Sequence, residues 1–425
     1  MTRSLIQAVE AAIPFAEDLF RRLRERTRDT VGVTRAPYGE GEQIAHELIA
    51  EAAGGLDLEI QTDCAGNLYM TWPGETREGH GVIAASHLDS VPRGGNYDGA
   101  AGVIAGLVAL DALRREGFAP KRDLSVMAIR AEETSWFSAH HIGSRAALGA
   151  LPPDELDAAR RADTGRSLAE HMADLGLDVA ALREGRRHLD PSRVTAYYEL
   201  HIEQGPVLEH EGLPVGIVTG IRGNVRAREG RCIGRYDHAG GTPRKLRRDA
   251  VMAVAEYIGA LESCWDRIEA EGGDLVLTCG RLFTNPDAHT HTKVPGEVNF
   301  SLDARSHSEE TLDRMEELIR RHAAEIGGRR SVRIDLGPVT RGAVATMDPR
   351  LRSILSDGCR ALGIDAMEIP SGGGHDAGDF AGAGVPSAMI FLRNPNGSHN
   401  PDEDMKMEDF ALGASLLAWA LASTR

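Results

Sequence analysis

Over the first 200 positions, short unbroken apolar runs alternate with longer stretches of helical spacing. "HGVIAASH" (80–87) is a run of the first kind and "AAGVIAGLVALDALRREG" (100–117) a stretch of the second. "RDLSVMAIRAEE" (122–133) and "RVTAYYELHIEQGP" (193–206) repeat the strand pattern, and each ends in charged or polar residues. A strand that is apolar on both faces belongs in a sheet covered on both faces, as helices cover a parallel sheet. The pattern therefore predicts an α/β domain whose functional groups gather at the carboxyl ends of its strands.

From about Gly220 the texture changes to strands of alternating character, beginning with "NVRAREGRCIGRYDHAGGTP" (224–243). A helix (247–272), two strands (274–284 and 297–306), a second helix (308–327) and a last strand (331–337) follow. The order β-α-β-β-α-β predicts a ferredoxin-like α+β domain. The chain then returns to the first domain through a helix near 348–362, a strand in "GVPSAMIFL" (384–392) and a final helix at 405–423. The expected organisation is a discontinuous larger domain, 1–215 and 336–425, with a mostly parallel mixed sheet flanked by helices. The smaller α+β domain, 216–335, is inserted in it.

A length of 425 residues fits two domains. The formal net charge of −16 argues against nucleic-acid or anionic-membrane partners, since both call for basic patches. The five cysteines form no C-x-x-C pair and are odd in number, which suits a reducing compartment. The amino-terminal stretch has charges scattered through it where a signal peptide has an apolar core, and "ALGASLLAWALAS" (411–423) is too short to span a bilayer. The expected location is the cytoplasm.

Polar residues at the strand ends carry the candidate chemistry: His87, Asp89, Asp98, Glu132, Glu133, His201, Glu203 and, late in the chain, His375, Asp376 and His399. Histidines and carboxylates from separate strand ends make a nitrogen–oxygen site for divalent ions such as zinc or manganese. The lack of cysteine ligands points to an open, catalytic site. Asp98, among glycines in "GGNYDGAAG", is suited to bridging two ions, or in the simplest structural reading to capping the following helix. Of Glu132 and Glu133, one can hold a metal while the other stays free to move a proton. Asp89, two residues beyond His87, can hold that ring from behind.

The stretch from "HLDSV" to "YDGAAGV", the "AEE" after a strand and "SHNPDE" near the end resemble the metal-dependent M20 peptidase superfamily. "YYELHIEQGPVLE", "HAGGTP", "SLDAR" and "SGGGHDA" resemble its amidase branch, the N-carbamoyl-L-amino-acid hydrolases, β-ureidopropionases and allantoate amidohydrolases. The resemblance runs in order from "GVTRAPYGEGE" (32–42) to "SHNPDE" (398–403). It implies two divalent ions per subunit (zinc foremost, manganese or cobalt as alternatives), with His87 and His201 on one, Glu133 and His399 on the other, and Asp98 between them. It implies Glu132 as general base and His238 as a donor reaching into a neighbouring subunit's site, hence a homodimer formed through the inserted lid domain. Arg305 is implied to bind a substrate carboxylate, with Gln204 and His375 as further substrate contacts.

The chain departs from this pattern in three places. Thr292 of "HTKVPGEV" stands where the branch has a substrate-binding asparagine, Trp136 of "EETSWF" where arginine is common, and "HAGGTPR" carries Gly241 and Arg244 where threonine and methionine are frequent. The implied function is hydrolysis of a linear C–N bond in an N-carbamoyl amino acid or related small carboxylated compound. An amidase or hydrolytic deaminase for another small carboxylated compound is the alternative, and a non-catalytic metal-binding homologue is a remote one.

Overall fold

The computed structural model describes residues 2–424, which form two compact units. One comprises the chain up to Thr219 together with the chain from Thr346, and the other is Gly220–Ala345.

The larger unit is built on a mixed sheet. Its strands include β1 (Glu59–Thr62), β2 (Leu68–Trp72), β3 (Gly81–His87), β4 (Leu124–Ile129), β5 (Val194–Ile202) and β6 (Val215–Ile221). The spatial order β1-β2-β4-β3-β5 continues into Ser387–Leu392 and then β6. β4, β3, β5 and Ser387–Leu392 run parallel, while β1, β2 and β6 add antiparallel edges. The four central strands are parallel, in keeping with the mostly parallel mixed sheet expected from the sequence pattern. Every residue of β3, β4 and Ser387–Leu392 is buried, which explains their unbroken apolar runs.

The helices Thr2–Arg26, Ala100–Arg115 and Met407–Ser423 pack together in the main hydrophobic core. Gly102 lets Ala100–Arg115 lie close to the sheet, because a Cβ there would come within 2.1 Å of the Leu200 carbonyl oxygen. A satellite apolar cluster that includes Phe137, Leu156, Leu168 and Met172 packs the excursion between β4 and β5. No helix among the described residues is long and apolar enough to cross a membrane.

The smaller unit has an antiparallel sheet in the order Arg333–Asp335, β7 (Gly223–Ile233), Glu297–Ser306 and Val276–Thr284, with Val339–Gly342 also paired to β7. Inward and outward residues alternate along Glu297–Ser306, and the helices Ala250–Ala270 and Glu309–Arg330 complete a separate core. The units divide at 220 and 345 where the sequence pattern places 216 and 335. The pairing gives the reason. β6 joins Ser387–Leu392 in the large sheet, and Val339–Gly342 joins β7 in the small one.

Candidate active site

The four parallel strands end together, and the polar residues of the sequence motifs lie at or just beyond their carboxyl ends. His87 closes β3, and His201 is the penultimate residue of β5. The Nε2 atoms of the two rings face each other at 3.3 Å, and Asp98 Oδ1 stands 3.4 Å from the first and 3.2 Å from the second. His201 Nδ1 donates to the Ile202 carbonyl at 2.8 Å, and His87 Nδ1 lies 3.2 Å from the Asp89 carbonyl oxygen and 3.3 Å from Asp89 Oδ1. These contacts put the ring protons on the outer nitrogens and leave the Nε2 lone pairs pointing inward.

Asp98 belongs to a second group as well. His399 Nε2 is 3.4 Å from Asp98 Oδ2 and 3.4 Å from Glu133 Oε1. The backbone around Asp98 is tightly held. Glu403 Oε1 accepts the Tyr97 and Asp98 amides at 2.9 and 3.1 Å, and Ser398 Oγ donates to Asp98 Oδ2 at 2.7 Å. Gly99, at φ 67°, follows in a left-handed turn, and a Cβ on it would meet the His87 ring at 2.5 Å.

Glu132 and Glu133 sit in a turn just past β4, which ends at Ile129. Ala131 is left-handed there, with φ 55°, a conformation unusual without glycine. Its amide is taken up by Glu42 Oε1 at 2.9 Å, and Glu42 Oε2 accepts Arg130 Nη1 at 2.8 Å. The turn sends the two carboxylates to different partners. Glu133 joins Asp98 and His399, and Glu132 Oε1 lies 3.3 Å from His141 Nε2.

The electrostatics fit a site built for cations. Burial, with the Asp98 and Glu132 carboxylates beside it, pushes the Glu133 carboxyl well above its usual range. Burial also opposes ionisation of Asp98, but His201, His399 and His87 hold it well below the usual range. Asp98 Oδ1 and Glu133 Oε1 are buried without a hydrogen bond among the described residues. Inward lone pairs, orphaned carboxylate oxygens and crowded negative charge suit divalent ions in the groups His87–Asp98–His201 and Asp98–Glu133–His399. A third group, Glu199–His201–His375, fits less well, because Glu199 already accepts from Ser86, Tyr197 and the Ala377 amide.

Other expected residues divide between the two units. In the larger unit Gln204 Nε2 donates to Asp98 Oδ2 at 2.9 Å, and the His375 ring packs edge-on against His201 at 4.5 Å with its Nε2 buried and without a hydrogen bond among the described residues. Trp136 anchors the loop after Glu133 by donating its indole N–H to the Ser90 carbonyl. In the smaller unit His238 and Lys293 are cross-strand neighbours, next to Thr292. His238 Nδ1 accepts the Gly240 and Gly241 amides at 3.2 and 2.9 Å, so its proton is on Nε2. Thr292 Oγ1 is 3.1 Å from Thr290 Oγ1, and Arg305 pairs with Asp303 at 2.9 Å.

Glu203, a candidate by position, serves the backbone instead. It accepts the Val207 and Leu208 amides, both at 2.8 Å, at the start of the helix Val207–Glu211. The sequence reading missed His141, Asp379 and Glu403. The "HHIG" that follows the glutamate pair was the available signal for the first, and the glutamate of "SHNPDE" for the last.

Comparison with known proteins agrees with this architecture. The profile of Peptidase family M20/M25/M40 matches residues 83–423. The chain is 37% identical over 414 residues to an N-carbamoyl-L-amino acid amidohydrolase of Geobacillus stearothermophilus, covering 96% of this chain and 98% of the relative. It is 32% identical to an allantoate amidohydrolase of Bacillus subtilis (strain 168), covering 91% of each. The crystal structure of an amidase of the hydantoinase/carbamoylase family from Burkholderia multivorans superposes with a TM-score of 0.87 at 26% identity, covering 97% of both chains. The chain therefore belongs to peptidase family M20/M25/M40, in its hydantoinase/carbamoylase amidase branch, and is a hydrolase of carbon–nitrogen bonds.

Proposed function

We propose that the chain hydrolyses the linear C–N bond of an N-carbamoyl amino acid or a closely related small carboxylated ureido compound. The observation that carries this reading is the position of Asp98, common to two histidine-containing donor groups, with the Glu132 carboxylate next in sequence to a member of one group but outside both. The relatives named for activity on N-carbamoyl-L-amino acids and on allantoate supply the substrate class.

His87, Asp98 and His201 would hold one divalent ion, and Asp98, Glu133 and His399 a second, zinc foremost among the metals suited to such donors. Ions held there supply the acidity that makes water nucleophilic near neutral pH. Glu132 accepts the proton of the attacking water and returns it to the leaving nitrogen. His238, with its proton on Nε2, donates to the oxygen that gains charge as the carbonyl carbon becomes tetrahedral. Arg305 binds the substrate carboxylate in place of Asp303, while Gln204, Thr292 and His375 contact the substrate. For an N-carbamoyl substrate the products are ammonia, carbon dioxide and the amino acid. A homodimer, with His238 serving a neighbouring subunit, belongs to the same proposal.

The test is a substrate panel with the protein reconstituted in zinc, manganese or cobalt. Ammonia release from N-carbamoyl-L-amino acids or allantoate, with N-acetyl amino acids left intact, is the expected outcome. Turnover of the N-acetyl compounds alone overturns the substrate assignment.

A further inference from the structure

His141 stands outside both donor groups, yet it is joined to Glu132 twice. Its backbone amide donates to the Glu132 carbonyl at 3.2 Å, and its Nε2 faces Glu132 Oε1 at 3.3 Å. The amides of Ile142 and Gly143 continue the clip onto the carbonyls of Ala131 and Arg130. On its other side His141 Nδ1 meets Asp379 Oδ2 at 2.5 Å, at a distance of 238 positions along the chain. Asp379 lies on the helix Asp376–Gly382, which opens directly after His375.

Two features indicate that this arrangement is built rather than incidental. His141 adopts a left-handed backbone, φ 47°, which side-chain-bearing residues rarely take and which persists where surrounding structure enforces it. Gly374 supplies room for the ring, since a Cβ there would press on His141 Cε1 and Nε2 at 3.3 Å. A carboxylate accepts only, so Asp379 fixes the proton on Nδ1 and the plane of the ring. Nε2 is then aimed at a single oxygen of Glu132. Each ring nitrogen thus faces a carboxylate oxygen, and although burial disfavours the imidazolium, Asp379 and Glu132 hold the His141 ring well above the usual histidine range.

We propose that His141, braced by Asp379, is a positioning residue for Glu132. By holding Oε1 it fixes which carboxylate oxygen is left to accept the proton, and in what direction. The inference rests on the reading of Glu132 as the base, and it adds a residue pair to the apparatus that orients that base.

The test compares His141→Phe, His141→Gln, Asp379→Asn and Glu132→Gln in the full chain, with N-carbamoyl-L-methionine and allantoate as probes and metal content measured on each protein. With metal content unchanged, His141→Phe is expected to lower kcat roughly tenfold to hundredfold with KM within about threefold, the signature of lost orientation. His141→Gln, which keeps a donor, recovers part of the loss, and it carries the test if the phenylalanine variant fails to fold. Asp379→Asn falls between them. In crystals of the metal-free His141→Phe or His141→Gln protein, the Glu132 carboxylate is expected to turn from its present rotamer. Wild-type kcat in His141→Gln and Asp379→Asn beside an inactive Glu132→Gln, or an unmoved carboxylate in the variant crystals, overturns the positioning role. An active Glu132→Gln overturns the reading of the base and this inference with it.

Discussion

The Asp89 carboxylate accepts two successive backbone amides, Glu132 N on Oδ1 and Glu133 N on Oδ2, each at 3.0 Å, while Oδ1 also stands 3.3 Å from His87 Nδ1. One fully buried side chain thus sets the backbone that carries the proposed base and one proposed ligand, and backs another ligand from behind. In Asp89→Asn an NH2 replaces one acceptor and leaves a buried amide unpaired. Metal affinity is expected to fall about 10–100-fold, measured by competition titration with a chromogenic chelator. Wild-type affinity and turnover would contradict this role.

Asp98 is common to both donor groups, so its loss weakens both. Asp98→Asn is expected to reduce tightly bound metal from two ions per subunit to one or none after dialysis, read by elemental analysis. Chelation of the wild type should abolish turnover, and added zinc, manganese or cobalt should restore it. Two ions retained in Asp98→Asn would remove the bridging role.

Glu42 has no place in the proposed chemistry, yet it accepts the amides of Tyr38 and Ala131 and the Arg130 guanidinium at 2.7, 2.9 and 2.8 Å. Glu42→Ala leaves a buried guanidinium uncompensated and is expected to cost about 3–5 kcal/mol in urea unfolding. Glu42→Gln keeps the shape and one acceptor oxygen and should cost less than Glu42→Ala. Wild-type stability in Glu42→Gln would argue against an ionic role.

His46, on the helix Glu40–Gly55, is buried with neither ring nitrogen bonded among the described residues. Burial, reinforced by Arg130, holds it well below the usual histidine range. The folded state keeps it neutral while the unfolded chain titrates near ~6.5. Its contribution to stability is therefore fully present above that pH and is lost as pH falls toward the folded value, by up to about 1.4 kcal/mol per pH unit. His46→Met should flatten the stability profile between pH 7 and 5 relative to wild type. Parallel profiles would assign the acid sensitivity to other groups.

Much of the site is legible in the sequence because its chemistry sits where local patterns end. His87, His201 and the glutamate pair terminate apolar runs, and Asp98 lies in a glycine-rich turn. What was hidden depends on long-range packing. His141 and Asp379 are 238 positions apart, and only the fold brings a loop and a helix start together. Glu203 stood among the candidates as a polar residue at a strand end, but the backbone turns there and its carboxylate meets free helix amides.

The most direct measurement of the central claim is kcat for Glu132→Gln at saturating N-carbamoyl substrate, with bound metal determined on the same sample. Glutamine keeps the shape and cannot take the proton. The expected result is both ions retained with kcat reduced at least about 100-fold. Turnover near the wild-type rate with both ions bound would contradict Glu132 as the base.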